Sequence, residues 1–274
     1  GAIGGMETED AMQRMINLQQ QTKFMYGSLT EVQFELLDGE QQRNVVLANT
    51  VSTLDKLNEV ENTSAATMAQ ITFSMNQYAA SARLANTGLS EMIALSAALI
   101  EAGEEQGKSG RALKMMYARL AADTSNNNEI LRQHGVAVKD SSGEMLTLVQ
   151  IMHQLKTSTD ASGRSWDQLN STEKNNIAIA IAGKHHYARF LKLMENFNRV
   201  TELQTNALKA GGSAMEEWGR IAESDQMQVR VLTQEIDPLR AKIGEDLLPA
   251  QVTALQAQKM YMAGWAWVAQ SGIG

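Results

Sequence analysis

The chain has 274 residues, of which 43% are hydrophobic, so it can bury a core and is not a disordered polypeptide. Its formal net charge is −7, and no run of Lys or Arg supplies the basic surface that a sequence-specific nucleic-acid binder needs. The absence of cysteine excludes disulfides, thiol catalysis and cysteine-ligated metals.

Composition favours helix along most of the chain. Proline occurs only at Pro238 and Pro249, while Ala, Leu, Met, Gln and Glu are abundant. The 16 methionines are typical of adaptable helix packing, or of a surface that accommodates several partners. Residues 1–5 lack the basic and apolar regions of a signal peptide and an initiator Met, so we expect an excerpt or a processed piece. No stretch reaches the ~20 apolar residues that span a bilayer.

The first helix is predicted over residues 6–26, and Gly27 is expected to end it. A capping box formed by Ser28 and Glu31 then starts a further helix, and Asp38-Gly39 predicts a second break. The apolar side chains expected on one face of the first helix are Met12, Met15, Ile16 and Phe24.

A long helix is predicted over residues 41–83. Leu47, Val51 and Leu54 follow a four-then-three spacing that is typical of a coiled-coil seam, and Asn58 and Glu61 continue it in polar form. One interpretation is an ordinary amphipathic helix of a separate domain. The other is self-association through Leu47, Val51 and Leu54.

Glycines divide the next part of the chain into short helices. Ser90 is the expected N-cap of a helix over residues 91–102, and Gly103 can adopt the left-handed conformation that ends it. Gly107 and Gly110 are expected to bracket the entry to a helix over residues 111–122. Residues 124–128 read as a polar connector, and His134-Gly135 is predicted to end a short helix.

One hairpin is predicted, across the turn residues Asp140-Ser141-Ser142-Gly143. Helices follow over residues 146–157, 172–182 and 184–209. Ser165 and Gln168 form a further candidate capping box, and Trp166 is expected to anchor its loop against these helices.

The last part of the chain begins at a flexible joint, Gly211-Gly212, followed by a candidate capping box of Ser213 and Glu216. A near-heptad seam then predicts self-association. Residues 260–268 form a short apolar segment with Trp265 and Trp267, which either packs as a helix or contacts a membrane or another chain. The seam positions are Leu232, Ile236, Leu239, Ile243 and Leu247.

No catalytic, cofactor or metal site is predicted. Gly107-Lys108-Ser109 lacks the earlier glycine and the preceding strand of a phosphate loop. His185-His186 are adjacent, so on a helix they point about 100° apart, which suits a single metal poorly. The acidic pairs Glu104-Glu105 and Glu216-Glu217 are interpreted as solvated helix faces rather than hydrolase carboxylates.

The order of these motifs resembles the core of the phage tail tape measure protein family over residues 79–250. The resemblance depends on the combination, because no single motif is diagnostic. The motifs are Ala85-Asn86-Thr87-Gly88-Leu89-Ser90, Glu101-Ala102-Gly103, Gly107-Lys108-Ser109-Gly110 with Arg111-Ala112-Leu113 and Leu120-Ala121, His134-Gly135-Val136 with Asp140-Ser141-Ser142-Gly143, Ile181-Ala182-Gly183 with Phe190-Leu191 and Glu195-Asn196, Gly212-Ser213-Ala214, and residues 243–249.

The expected architecture is all-α: a glycine-punctuated core of short helices with one small hairpin, flanked by long helices able to form coiled coils. The predicted divisions are N-terminal long helices (1–85), a tape measure core (86–210), a seam helix region (211–250) and an apolar tail (251–274).

The resemblance implies a non-enzymatic structural protein of the tail lumen or tip, made in the host cytoplasm. Such a protein sets tail length and leaves ahead of the DNA. The implied partners are two further copies in a homotrimer and the tail tube and tip proteins. The alternative is a membrane-interacting or pore-assisting protein that acts during genome ejection.

Overall fold

A computed structural model of the chain describes residues 2–3, 6–7, 17–19, 21–24, 29, 31–122, 125–158, 160 and 163–212, without the side chains of residues 2–3, 6–7 and 125–128. The described residues are mostly helical, which confirms the predicted all-α class. The helices are α1 (Glu31–Glu35), α2 (Gly39–Thr63), α3 (Met68–Leu84), α4 (Leu89–Glu101), α5 (Gln106–Ala121), α6 (Ser125–Gln133), α7 (Leu148–Thr157), α8 (Ser171–Ala182), α9 (Tyr187–Glu195) and α10 (Phe197–Lys209), with a 3-10 turn at Trp166–Gln168.

The chain divides into two compact units. One consists of residues 1–25 and 50–215, and the other of residues 26–49 and 216–274, so α2 begins in the second and ends in the first. In the first unit, α3 packs against both α4 and α5. These contacts join the two sides of the division that the sequence predicts at residue 85.

Helix α4 lies at the centre of the first unit. Every residue from 90 to 99 is buried, and α4 contacts α3, α5, α9 and α10. A helix that is buried on all sides needs neighbours on all sides, and apart from Ser90, Glu91 and Ser96 the residues of this buried stretch are apolar. The elements that carry the candidate sites are therefore arranged around this one helix.

Two predicted long helices are each broken once. The helix predicted over residues 41–83 ends at Thr63, and α3 restarts at Met68 behind a capping box in which the Thr67 side chain and the Gln70 side chain each accept a backbone N–H. The helix predicted over residues 184–209 begins only at Tyr187 and breaks at Asn196, which has φ −99° and ψ 25°. Neither break contains glycine or proline.

Other boundaries also differ from those predicted. Gly88 rather than Ser90 is the N-cap of α4, and Ser90 is buried in its first turn. Gly107 and Gly110 lie inside α5 rather than before it. Helix α6 begins at Ser125, within residues 124–128, which are predicted to be a polar connector. In the predicted first helix, Met6–Glu7 instead pairs antiparallel with Ala2–Ile3, while residues 17–19 and 21–22 are helical.

Several predicted turns are confirmed. Gly103 and Gly135 have φ of 82° and 69°, and the reversal after each lets backbone N–H groups donate to the last carbonyls of α4 and α6. The predicted hairpin is closed by a single antiparallel bridge between Lys139 and Met145, so it is a turn without extended strands. The Ser165–Gln168 capping box is present, and Trp166 is buried as predicted.

Candidate functional site

Helices α3 and α5 lie very close together at Gly110, and the packing of the core between them depends on this contact. A Cβ atom at this position would lie 2.4 Å from the Ser74 carbonyl oxygen and 2.7 Å from the Gln77 Cβ. The hydroxyl groups of Ser74 and Ser109 are buried here without a hydrogen-bond partner among the described residues. Small side chains thus bring the two backbones together, at the cost of two unpaired hydroxyls.

The tyrosines of α3 and α5 stack inside the core that this contact creates. The rings of Tyr78 and Tyr117 are nearly parallel, with centroids 5.9 Å apart. The Tyr78 hydroxyl donates to the Met92 carbonyl at 2.8 Å and lies 3.0 Å from the Ser96 hydroxyl. Thr87 donates to the Tyr117 hydroxyl at 3.1 Å. Burial raises the pKa of both phenols, so both remain protonated and act as hydrogen-bonding spacers.

Glu91 is a buried carboxylate that links α4 to the start of α7. Its Oε1 atom accepts the Val149 backbone N–H at 3.1 Å, and Thr147, the N-cap of α7, also hydrogen-bonds to it. Burial raises the pKa of Glu91 above its ordinary value of 4.5, while these two hydrogen bonds act in the opposite direction. A carboxylate at a helix N-terminus complements the unpaired N–H groups there, so Glu91 holds α7 in place.

Two ion-pair clusters attach the C-terminal helices to the end of α4. Arg199 of α10 donates to both oxygens of Glu101, each at 2.9 Å, and to the Thr63 carbonyl at the end of α2. Glu104 accepts from Arg189 at 2.7 Å and from Lys192 at 2.6 Å. The hydrogen bonds from Arg199 lower the pKa of Glu101, which keeps this carboxylate charged.

A short loop pattern, Asp-x-Ser-Gly, occurs at residues 140–143 and 160–163, and only its first copy is predicted as a turn from the sequence. In each loop the aspartate carboxylate accepts the backbone N–H four residues later, from Glu144 to Asp140 and from Arg164 to Asp160. The glycines, Gly143 and Gly163, have φ of 87° and 77°. Each loop is followed by a capping box, Thr147–Gln150 after the first and Ser165–Gln168 after the second. Each loop therefore lies directly before the start of a helical turn.

The groups considered for chemistry that the structure describes lie at or near the N-termini of α5 and α9. Gly107-Lys108-Ser109 lies in the first turn of α5, where Lys108 pairs with Glu105 at 3.4 Å. His185 and His186 precede α9, and Glu104 belongs to the ion-pair cluster described above. Among the described residues, no three His, Cys, Asp or Glu side chains are grouped so that they could hold a metal ion.

The predicted self-association positions on α2 are neither all buried nor all exposed. Val51 is exposed, whereas Leu47 is half-buried and Leu54 packs partly against the core. The adjacent helix face is the buried one. Its members in the first unit are Thr50, Thr53, Leu57 and Val60. The other predicted contact residues lie outside the described residues: Leu232, Ile236, Leu239, Trp265 and Trp267.

A comparison with protein families identifies the class to which this arrangement belongs. The family model described as phage-related minor tail protein matches residues 1–183, which is more than half of the chain. The chain belongs to this family. The minor tail protein is therefore a structural component of the phage tail, where other tail proteins are its partners.

The matched part of the minor tail protein ends at Gly183, directly after α8, but the packed unit continues. Helices α9 and α10 lie beyond the match, and their Arg189, Lys192 and Arg199 side chains pair with α4 and the residues after it. No solved structure matches the chain. In the described part of the minor tail protein, no helix is both long enough and apolar enough to cross a bilayer.

Proposed function

We propose that this minor tail protein is part of a tape measure protein that occupies the tail lumen or tip. It sets tail length during assembly and leaves ahead of the DNA at infection. The observation that carries the proposal is the family match over residues 1–183, combined with the tape measure motif order over residues 79–250. The ion pairs and hydrogen bonds around α4 hold helices together and support a structural role rather than an enzymatic one.

A ruler made of helix adds about 1.5 Å of length per residue. The first unit folds its helices back on one another, so in this form it adds much less length than its residue count would give. The proposed ruler function therefore depends chiefly on residues outside this compact unit, or on its being drawn out in the tail.

Tail length in the assembled phage tests the ruler function. Inserting a second copy of residues 226–253 directly after the first should lengthen tails by about 42 Å, at ~1.5 Å per residue. A scrambled insertion of the same length and composition is the matched control, because a ruler responds to length rather than to exact sequence. Tails of unchanged length with both insertions would reject the proposal.

The proposed assembly is a homotrimer, with Leu47, Val51, Leu54, Leu232, Ile236 and Leu239 as contact residues between copies. Exposure of Val51 on α2 is compatible with such a contact. Crosslinking in assembled tails should yield species larger than one chain, and recovery of monomer alone would contradict this part of the proposal. The same crosslinks would identify the tube or tip proteins beside it.

The membrane-interacting alternative stays a prediction, since Trp265 and Trp267 lie outside the described residues. Leakage of dye from vesicles by the purified chain, lost in a variant with both tryptophans replaced by alanine, would favour it. Intact vesicles would favour a role confined to the tail.

A further inference from the structure

The solvent face of α5 forms a basic surface on an otherwise acidic protein. Residues 106–122 and 183–192 contain seven Lys or Arg and no Asp or Glu, whereas the whole chain has 31 acidic and 24 basic residues. Of the seven, Arg189 and Lys192 pair with Glu104 and do not belong to this surface. The Arg119 side chain of α5 donates to the Ala180 carbonyl at 3.1 Å and lies against Gly183, which brings the end of α5 beside the turn before α9. We define the basic face as the exposed residues Lys108, Arg111, Lys114, Met115, Lys184 and His185.

An apolar side chain is embedded in this basic face. Met115 is 42% exposed and lies four residues after Arg111, so the two are neighbours on the same side of α5. Lys108 has a local partner in Glu105, but that pair is itself more than half exposed. The face thus combines positive charge with a large apolar group, which is a combination that suits a protein partner.

The other unit carries a surface of the complementary kind. Residues 31–40 contain four acidic and no basic residues. Val32 and Leu36 on this segment are 67% and 81% exposed, and they lie one helical turn apart. We define the acidic corner as Val32, Leu36, Asp38 and Glu40, which are all exposed.

We propose that the basic face of one copy binds the acidic corner of a second copy. Carboxylates of the corner would face the Arg and Lys side chains, while Val32 and Leu36 would cover Met115. Because the two surfaces differ, the contact is head-to-tail, and repeated use of it builds a ring or an open chain of copies. This inference builds on the self-association in the proposed function but is tested without reference to tail length.

The same basic face does not favour nucleic acid. Phosphate binding depends on cationic side chains, and an exposed Met such as Met115 adds nothing to it. Opposite charges across a protein interface, in contrast, steer association and fix its register, and apolar side chains between them supply the burial.

Sedimentation velocity on the full 274-residue chain tests the contact. The wild-type chain should associate as its concentration rises, and ~0.5 M salt should weaken this by screening the charges. Lys114→Glu and Glu40→Lys should each raise the dissociation constant about tenfold or more, and Leu36→Ser should also weaken association. Lys209→Glu, which reverses an exposed lysine of α10 outside the face, is the matched control.

A mixing experiment distinguishes this contact from any other. Each single variant keeps one intact surface, so mixing Lys114→Glu with Glu40→Lys should restore association between unlike chains. Circular dichroism must show equal helix content in every variant. A wild-type chain that stays monomeric would overturn the proposal, as would variants that associate like the wild type or mixtures that do not recover. Binding of duplex DNA that Lys114→Glu abolishes, without self-association, would also overturn it.

Discussion

A methyl group added at residue 110 would meet the backbone of α3 rather than solvent. Gly110→Ala should therefore lower the free energy of unfolding by about 1–3 kcal/mol, because a carbonyl oxygen 2.4 Å from the new Cβ cannot move without shifting the helix. Urea unfolding followed by circular dichroism measures this loss.

Gly107 provides the matched control in the same helix. Its nearest neighbour to a new Cβ is a side-chain atom of Phe73 at 3.5 Å, which is an ordinary contact. Gly107→Ala should be neutral or stabilising by up to about 1 kcal/mol, because alanine favours helix over glycine. Equal effects of the two substitutions would show that helix propensity, and not the close approach at Gly110, decides the result.

Glu91 makes stability depend on pH in a direction opposite to that of an ion-paired carboxylate. Its pKa is raised on folding, so the folded chain binds the proton more tightly than the unfolded chain. Its contribution is therefore most favourable below pH 4.5 and declines as the pH rises through the raised pKa. Glu91→Gln removes this titration, so the stability of the variant relative to the wild type should increase as the pH rises from 4.5 towards neutrality.

Urea unfolding at several pH values measures that difference. Glu195→Gln, which replaces an exposed glutamate of α9, is the control for losing one negative charge. Glu91→Ala should be destabilised at every pH, because it leaves the Val149 N–H unpaired in the core. A constant difference between Glu91→Gln and wild type across the range would show that Glu91 does not titrate differently on folding.

At the scale of elements, Arg199 joins the ends of three helices. It contacts Glu101 at the end of α4, the Thr63 carbonyl at the end of α2, and Glu202 within α10. Arg199→Ala should cost about 1–3 kcal/mol, as expected when charge-assisted hydrogen bonds to partly buried groups are lost. Arg199→Lys should recover only part of this, because a single ammonium group cannot make the two-pronged contact with Glu101.

The pH dependence of the Arg199 variants has a defined sign. The pKa of Glu101 is lowered on folding, so its contribution is present above pH 4.5 and is lost as the pH falls through the folded value. The difference in the free energy of unfolding between wild type and Arg199→Ala should therefore decrease as the pH falls below 4.5. Arg132→Ala removes an exposed ion pair within α6 and should leave stability unchanged. Equal losses in the two variants would contradict the assigned role of Arg199.

Local signals determined which elements could be predicted. Gly103, Gly135 and the Ser165–Gln168 box are read from a few adjacent residues, and each was predicted where the structure has it. The break before α3 also has a local signal, the Thr67–Gln70 box. The helix-favouring residues on both sides of it nevertheless predict one continuous helix. The break at Asn196 has no such signal, so packing of α9 and α10 against α4 must determine it.

The polar contacts that join α4 to other helices are not predicted from the sequence, because their partners lie far apart along the chain. Glu91 bonds to a backbone group 58 residues away, and Glu101 pairs with Arg199 at a separation of 98 residues. From the sequence Glu104 is expected to be solvated, yet it pairs with two basic residues of α9. Periodicity finds residues that share a helix face, but it does not show which helices meet.

At the scale of the whole molecule, the contacts of α3 predict where the chain can be cut. Its Tyr78, Met75 and Ala79 are fully or almost fully buried, and they belong to the same core as α4 and α5. A fragment of residues 50–215, which omits Leu18 of that core and Phe24 packed against it but keeps α3, α4 and α5, should therefore unfold in a single cooperative transition. A fragment of residues 86–215, which starts near the predicted domain boundary, should lose the stacking partner of Tyr117 and expose the Gly110 side of α5.

Urea titration of both fragments, followed by far-UV and near-UV circular dichroism, tests this difference. Superimposable transitions in the two signals are expected for residues 50–215, as for a two-state domain. Residues 86–215 should keep helix but show a weak near-UV signal and a shallow transition, because the apolar face of α4 that α3 covers becomes exposed to water. A sharp transition in the shorter fragment would instead show that α4 to α10 form a cooperative core without α3. The unit of folding would then begin at α4, and the contact at Gly110 would serve to position α3 rather than to complete the core.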